Sequence, residues 1–200
     1  VMGLLGGLMV GLRAFQKRFQ PHPEVVRKLL HVMMGSSTLT LPWVFNETWP
    51  AVVLGVIAFS ALLALKRSKL RKNLGQVLHS VDRDSHGDLY FPISVAAVFV
   101  ISNGNPLLFC LPVLILTLAD ATAALIGLRY GVSRYQTTEG KKSIEGSAAF
   151  FGVTFLSVLL VLLMFTQVGR VESVLIAFML GLLVMMLEAI AWLGLDNLFI

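Results

Sequence analysis

Charge is scarce in this chain. Only 14% of its 200 residues are Asp, Glu, Lys or Arg, while 56% are hydrophobic; a soluble domain carries about 25% charged residues. That shortage excludes an ordinary water-soluble domain, and a mean hydropathy of +0.83 points to the membrane. Cysteine is nearly missing as well. Cys110 stands alone within an apolar run, which excludes a disulfide framework and a thiolate zinc site and leaves the reading of a small buried hydrophobe. Acidic residues are few, 11 against 16 Lys and Arg, so each one inside an apolar segment asks for a reason.

What is present is a series of apolar runs. A spanning helix takes about 20 mostly apolar residues, so a chain of this length holds roughly seven spans and no soluble domain beside them. Polar breaks predict an all-α transmembrane bundle with helices at about residues 1–12, 29–45, 49–65, 89–102, 106–128, 147–166 and 173–195. The first run is too short to cross and reads as a truncated helix. Arg13, Lys17 and Arg18 follow it, the reverse of a signal peptide's charge order. With Val1 at the start and Leu198-Phe199-Ile200 at the end, residues 1–200 are expected to be one transmembrane domain, a fragment truncated at both ends.

Lys and Arg are retained on the cytoplasmic side of short loops. Here Arg13 to Lys28, Lys66 to Arg83 and Arg129 to Lys142 hold every basic residue except Arg170. Odd loops cytoplasmic and an outside N-terminus satisfy that pattern. It also accounts for a sequence pI near 9.7 through anionic lipid headgroups, without nucleic acid. The run Lys66-Arg67-Ser68-Lys69-Leu70-Arg71-Lys72 reads as such an anchor.

The remaining polar residues gather on the same side. Pro23 suits a first helical turn, and Glu24, Arg27, Lys28 and His31 then share one face. That stripe is either an interfacial helix with Glu24 paired to Lys28, or a phosphate clamp with an imidazole a turn deeper. Asp120 and Glu188 lie inside apolar segments, where a charge costs at least about 2.5 kcal/mol and marks a cavity or a partner. Asp120 shares a face with Ala124, Gly127 and Gly131, which reads as small-residue packing or as a metal carboxylate beneath a glycine-smoothed nucleotide site. Ser143 can cap a helix, and Lys141 and Lys142 beside its N-terminus form an anion site. A Walker loop is absent. Glu145 and Gly146 have no use in a mere positive anchor.

In these residues the chain resembles the CTP-dependent lipid-alcohol kinases, the group of dolichol kinase, phytol kinase and the fungal CTP-dependent diacylglycerol kinase. The family's nucleotide motif appears as Asp120, Ala123, Gly127, Gly131 and Lys141-Lys142-Ser143-Ile144-Glu145-Gly146. It departs from the pattern in a nine-residue spacer, Val132 to Gly140, and in Ser143 for threonine. Arg27-Lys28-Leu29-Leu30-His31 and Leu89-Tyr90-Phe91-Pro92 are similar to elements of the phytol-kinase-type members, and Glu188 and Asp196-Asn197 also look familial.

The resemblance implies transfer of the CTP γ-phosphoryl group to an isoprenoid alcohol such as phytol, dolichol or polyprenol, or to diacylglycerol, at the cytoplasmic surface. Gly127, Gly131, Lys141, Lys142, Ser143, Glu145 and Gly146 would then hold the nucleotide. Asp120, with Glu188 or Asp196, would hold Mg²⁺. Asp120, Arg27, Lys28 and His31 would serve the reaction, and membrane lipids would surround the site. Two other classes compete. A phosphatidate cytidylyltransferase would pair Lys-Asp with a later Gly-His-Gly-Gly and Asp-Arg, of which only Asp82-Arg83 is present, in the wrong order. An ion-coupled transporter would place Asp120 and Glu188 between repeated halves, but the chain has no internal repeat and its polar groups lie at one face.

Overall fold

The structure is a computed structural model that describes residues 7, 11, 15, 18–67, 87–137 and 140–190. Seven helices and one hairpin are defined among them: α1 Pro23–Thr38, α2 Leu41–Val44, α3 Thr48–Arg67, α4 Gly87–Ser102, α5 Pro106–Tyr130, β1 Arg134–Thr137, β2 Gly140–Ser143, α6 Ile144–Phe165 and α7 Arg170–Ile190.

The helix starts follow local chemistry. Pro23 opens α1, and the His22 ring accepts the Glu24 N–H at 3.3 Å. Asn103 and Gly104 adopt positive φ, 45° and 78°, which turns the chain sharply enough for Asn105 to cap α5 through the Leu107 and Leu108 amides. Ser143 caps α6 by accepting the Gly146 N–H at 3.0 Å.

α5 lies at the centre, packed on α1, α4 and α6, while α7 packs on α6 and α3 on α4. One core joins Leu41, Ala51, Phe91, Phe99, Phe109 and Val113; a second joins Ile115, Ala119, Phe150, Val158 and Ala177 across α5, α6 and α7. The outer faces of α6 and α7 remain apolar, with Leu156, Leu160, Phe165, Phe178 and Met179 all exposed. Helices that are apolar inside and out belong in lipid, and the chain is an all-α integral membrane bundle.

Among the described residues the expected count of about seven crossings is not confirmed. Three helices, α5, α6 and α7, are long and apolar enough to cross, and Thr48–Ala64 and Leu89–Ser102 are shorter apolar helices. The expected span at 29–45 is interrupted, because α1 ends at Thr38 and Pro42 sits in the first turn of the separate four-residue α2. A proline has no N–H with which to continue α1 through this point. Most of the first run, residues 68–86, and Asp196 with Asn197 lie outside the described residues. The stretch before Ser143, read as a loop, contains the antiparallel hairpin, with Tyr135 opposite Lys142 and Gln136 opposite Lys141.

Candidate active site

The seam between α1 and α5 is tight because Gly35 meets Thr117: a Cβ at Gly35 would lie only 2.7 Å from Thr117 Cγ2. That approach sets what the next turns of α1 can reach. His31 Nε2 lies 3.1 Å from the Leu116 carbonyl oxygen, and its ring meets Phe91 edge-on. A carbonyl only accepts, so Nε2 carries the proton. One turn further out, Lys28 Nζ donates to Asp120 Oδ2 at 2.5 Å, with His31 Nε2 at 3.6 Å from the same oxygen. Lys28 is 4% exposed and Asp120 9%. The acid that needed a partner therefore has one from a different helix.

Glu24 does not pair with Lys28, as an interfacial helix would have it. It bonds Arg27 instead, at 2.6 and 3.1 Å. Burial works against the Glu24 charge, but the Arg27 guanidinium and the Lys28 ammonium outweigh it and hold the carboxyl below its ordinary value. The stripe thus splits, with Arg27 at the rim and Lys28 and His31 inside.

A second cluster forms where the hairpin enters α6. A Cβ on Gly131 would lie 2.8 Å from Ser143 Oγ, one on Gly127 3.0 Å from the same atom, and one on Gly146 2.9 Å from the Ala123 carbonyl oxygen. These glycines let the end of α5 and the start of α6 touch around Ser143. Ile144 N–H donates to the Ser133 carbonyl at 2.9 Å and Gly146 N–H to Ser143, so the helix start has two of its amides already bonded. Glu145 Oε1 accepts the Ser133 N–H at 3.0 Å, and its Oε2 is buried with no hydrogen-bond partner among the described residues. Lys142 Nζ reaches both Glu188 Oε1 and the Glu188 carbonyl oxygen at 2.5 Å, whereas Lys141 is exposed. Asp120 and Gly127 lie on one face of α5, two turns or about 10 Å apart, so the clusters are neighbours at one end of the bundle.

The chain is 28% identical, over 196 residues, to a protein named phytol kinase from Synechocystis sp.; the match covers 97% of this chain and 82% of that relative. This chain is a homologue of that protein over nearly its whole length. No family model and no solved structure matches it. At 97% of the chain, the homology runs through both clusters and does not rest on one motif.

The structure brings Arg27, Lys28, His31 and Asp120 together, and separately Gly127, Gly131, Ser143, Glu145 and Gly146. Asp196 lies outside the described residues. No group of three His, Cys, Asp or Glu side chains able to hold a metal ion occurs among the described residues. Mg²⁺ asks for less, since one or two carboxylates with nucleotide phosphates and water suffice. Asp120 and Glu188, each bonded to one lysine, Lys28 and Lys142, fit only as single ligands of that kind. Sequence reasoning missed Tyr135, whose hydroxyl lies 2.7 Å from Ser147 Oγ and ties the hairpin to α6. The sequence signal was slight, one aromatic residue, Tyr135, between polar Arg134 and Gln136.

Proposed function

We propose that this chain is an integral membrane kinase that transfers the γ-phosphoryl group of CTP to the hydroxyl of a lipid alcohol, an isoprenoid such as phytol, at the cytoplasmic face. The observation that carries the reading is the buried Lys28–Asp120 pair with His31 beside it, at the end of the bundle where the hairpin lysine Lys141 is exposed. Phosphoryl transfer needs positioning and charge neutralisation more than covalent help from the protein. Lys141 and the rim residue Arg27 hold phosphate oxygens. Lys28 keeps Asp120 charged and oriented at depth, and Asp120 would hold Mg²⁺, which when bound would neutralise charge on the transferring group. The alcohol enters between helices with its tail in lipid. Its hydroxyl oxygen attacks the γ-phosphorus, the bond to the β-phosphate oxygen breaks, and the proton passes to His31 or Asp120, the bases of the cluster.

Vesicles holding the full chain, given phytol, dolichol or diacylglycerol with α- or γ-labelled CTP, test this. The expected outcome is γ-label on the lipid alcohol and none of the α-label. Incorporation of α-label would mean cytidylyl transfer and would end the kinase reading; alcohol-independent uptake of a solute would favour a transporter.

A further inference from the structure

The two adjacent lysines before α6 sit on a two-stranded ribbon, and in a strand successive side chains point to opposite faces. Tyr135 and Lys142, paired across the hairpin, are half-buried; Gln136 and Lys141, the next pair, are exposed. The inner face is docked twice. Tyr135 bonds Ser147 on α6, and Lys142 bonds both the carboxylate and the main-chain oxygen of Glu188 on α7. Two of the three ammonium hydrogens are thereby engaged. Turning Lys142 toward a phosphate would deprive a carboxylate that is only 7% exposed of its lysine, an arrangement strongly disfavoured at low dielectric. Lys141 carries no such obligation.

We propose that Lys142 is a positioning residue: its ammonium fastens the hairpin to Glu188 of α7, and this contact aims Lys141 at the phosphates of the nucleotide. The two lysines thus do different work. Lys141 touches the nucleotide, and Lys142 acts through the hairpin. The assignment rests on the kinase reading for its activity readout alone.

The test is a double-mutant cycle in the full chain, in vesicles, on a Cys110→Ala background. Spin labels at Gln136→Cys and Met186→Cys report the distance from hairpin to α7, and initial rates report KM for CTP and kcat separately. Lys142→Ala and Glu188→Ala should each broaden the distance distribution and raise KM by about tenfold, with the double variant no worse than either single one. The exchange Lys142→Glu with Glu188→Lys should narrow the distribution again and recover most of the KM. A glutamate set directly on a phosphate would do the opposite and be worse than alanine. Should the exchange fold poorly, Glu188→Gln, which keeps the shape and removes the charge, should broaden the distribution by part of the alanine effect.

A narrow, unchanged distribution in Lys142→Ala would overturn the assignment, as would a Glu188→Ala protein with normal KM. The label distances need no turnover, so they decide the role of Lys142 even if no alcohol is phosphorylated, and that second failure would count against the kinase reading alone.

Discussion

Lys28 and Asp120 are 92 positions apart in the chain and 2.5 Å apart in space, and each explains why the other can be buried. An ammonium or a carboxylate alone at that depth would be expelled or neutralised; together they replace water for one another. Removing one member should therefore be worse than removing both. Lys28→Met is expected to destabilise the protein by about 3–5 kcal/mol, while Lys28→Met with Asp120→Leu should regain most of that loss and remain inactive. Thermal unfolding in detergent alongside γ-label transfer checks both halves. A double variant no more stable than Lys28→Met would show that the pair is not what holds the seam.

Asp120→Asn separates charge from shape. The amide keeps the size and one acceptor but leaves the Lys28 ammonium without its counter-charge, so stability should fall, and by less than in the Lys28→Met protein. With Asp120 as the proposed Mg²⁺ ligand, activity should drop severely and should not return at raised Mg²⁺. Near-normal turnover in this variant would remove Asp120 from the reaction and leave it a structural role.

The sequence alone made Asp120 conspicuous but not its partner. A carboxylate in an apolar run is visible by its cost; that Lys28 answers it, and that Glu24 turns to Arg27, depends on how α1 is rotated against α5, which Gly35 and Thr117 decide at a distance of 82 positions. The glycines at 127 and 131 were legible as a site of close approach. What approaches them, Ser143 and the start of α6, was not, because a hairpin of four-residue strands gives too short an alternation to outweigh the reading of a polar loop. Lys141-Lys142 appeared as one doubly charged feature for the same reason: only strand geometry sends the two side chains to opposite faces. Apolar composition marked the long helices well, whereas the break at Leu39–Thr40 hinged on a single proline.

Gly35→Ala should push α1 away from α5. The added methyl would meet the Thr117 side chain at less than van der Waals distance, and overpacking of that kind costs about 1–3 kcal/mol. The displacement also draws Lys28 and His31 off Asp120 and Leu116, so activity should fall more than stability. Adding Thr117→Ala removes the atoms in closest conflict and should restore part of both. An active, fully stable Gly35→Ala protein would mean that the seam yields without moving the cluster.

The last prediction concerns the side of the membrane on which this chemistry takes place. Fifteen of the sixteen Lys and Arg residues fall in the three stretches 13–28, 66–83 and 129–142, and retention of such charges inside would place the hairpin and the outer end of α1 toward the cytoplasm. Trp43 and Trp49, both exposed, flank Glu47 between α2 and α3, a placement suited to aromatic anchoring at the opposite interface. Single cysteines at Lys141 and Glu47, each on the Cys110→Ala background, should consequently react from opposite sides with a reagent that does not cross the bilayer. In right-side-out vesicles Glu47→Cys is expected to be labelled, and Lys141→Cys only after permeabilisation. On the proposed function CTP should slow labelling at Lys141→Cys and leave Glu47→Cys unaffected, because only the former would lie at the nucleotide. Labelling of Lys141→Cys from outside would put the hairpin on the wrong side for a cytoplasmic nucleotide, and the proposed reaction would have no donor.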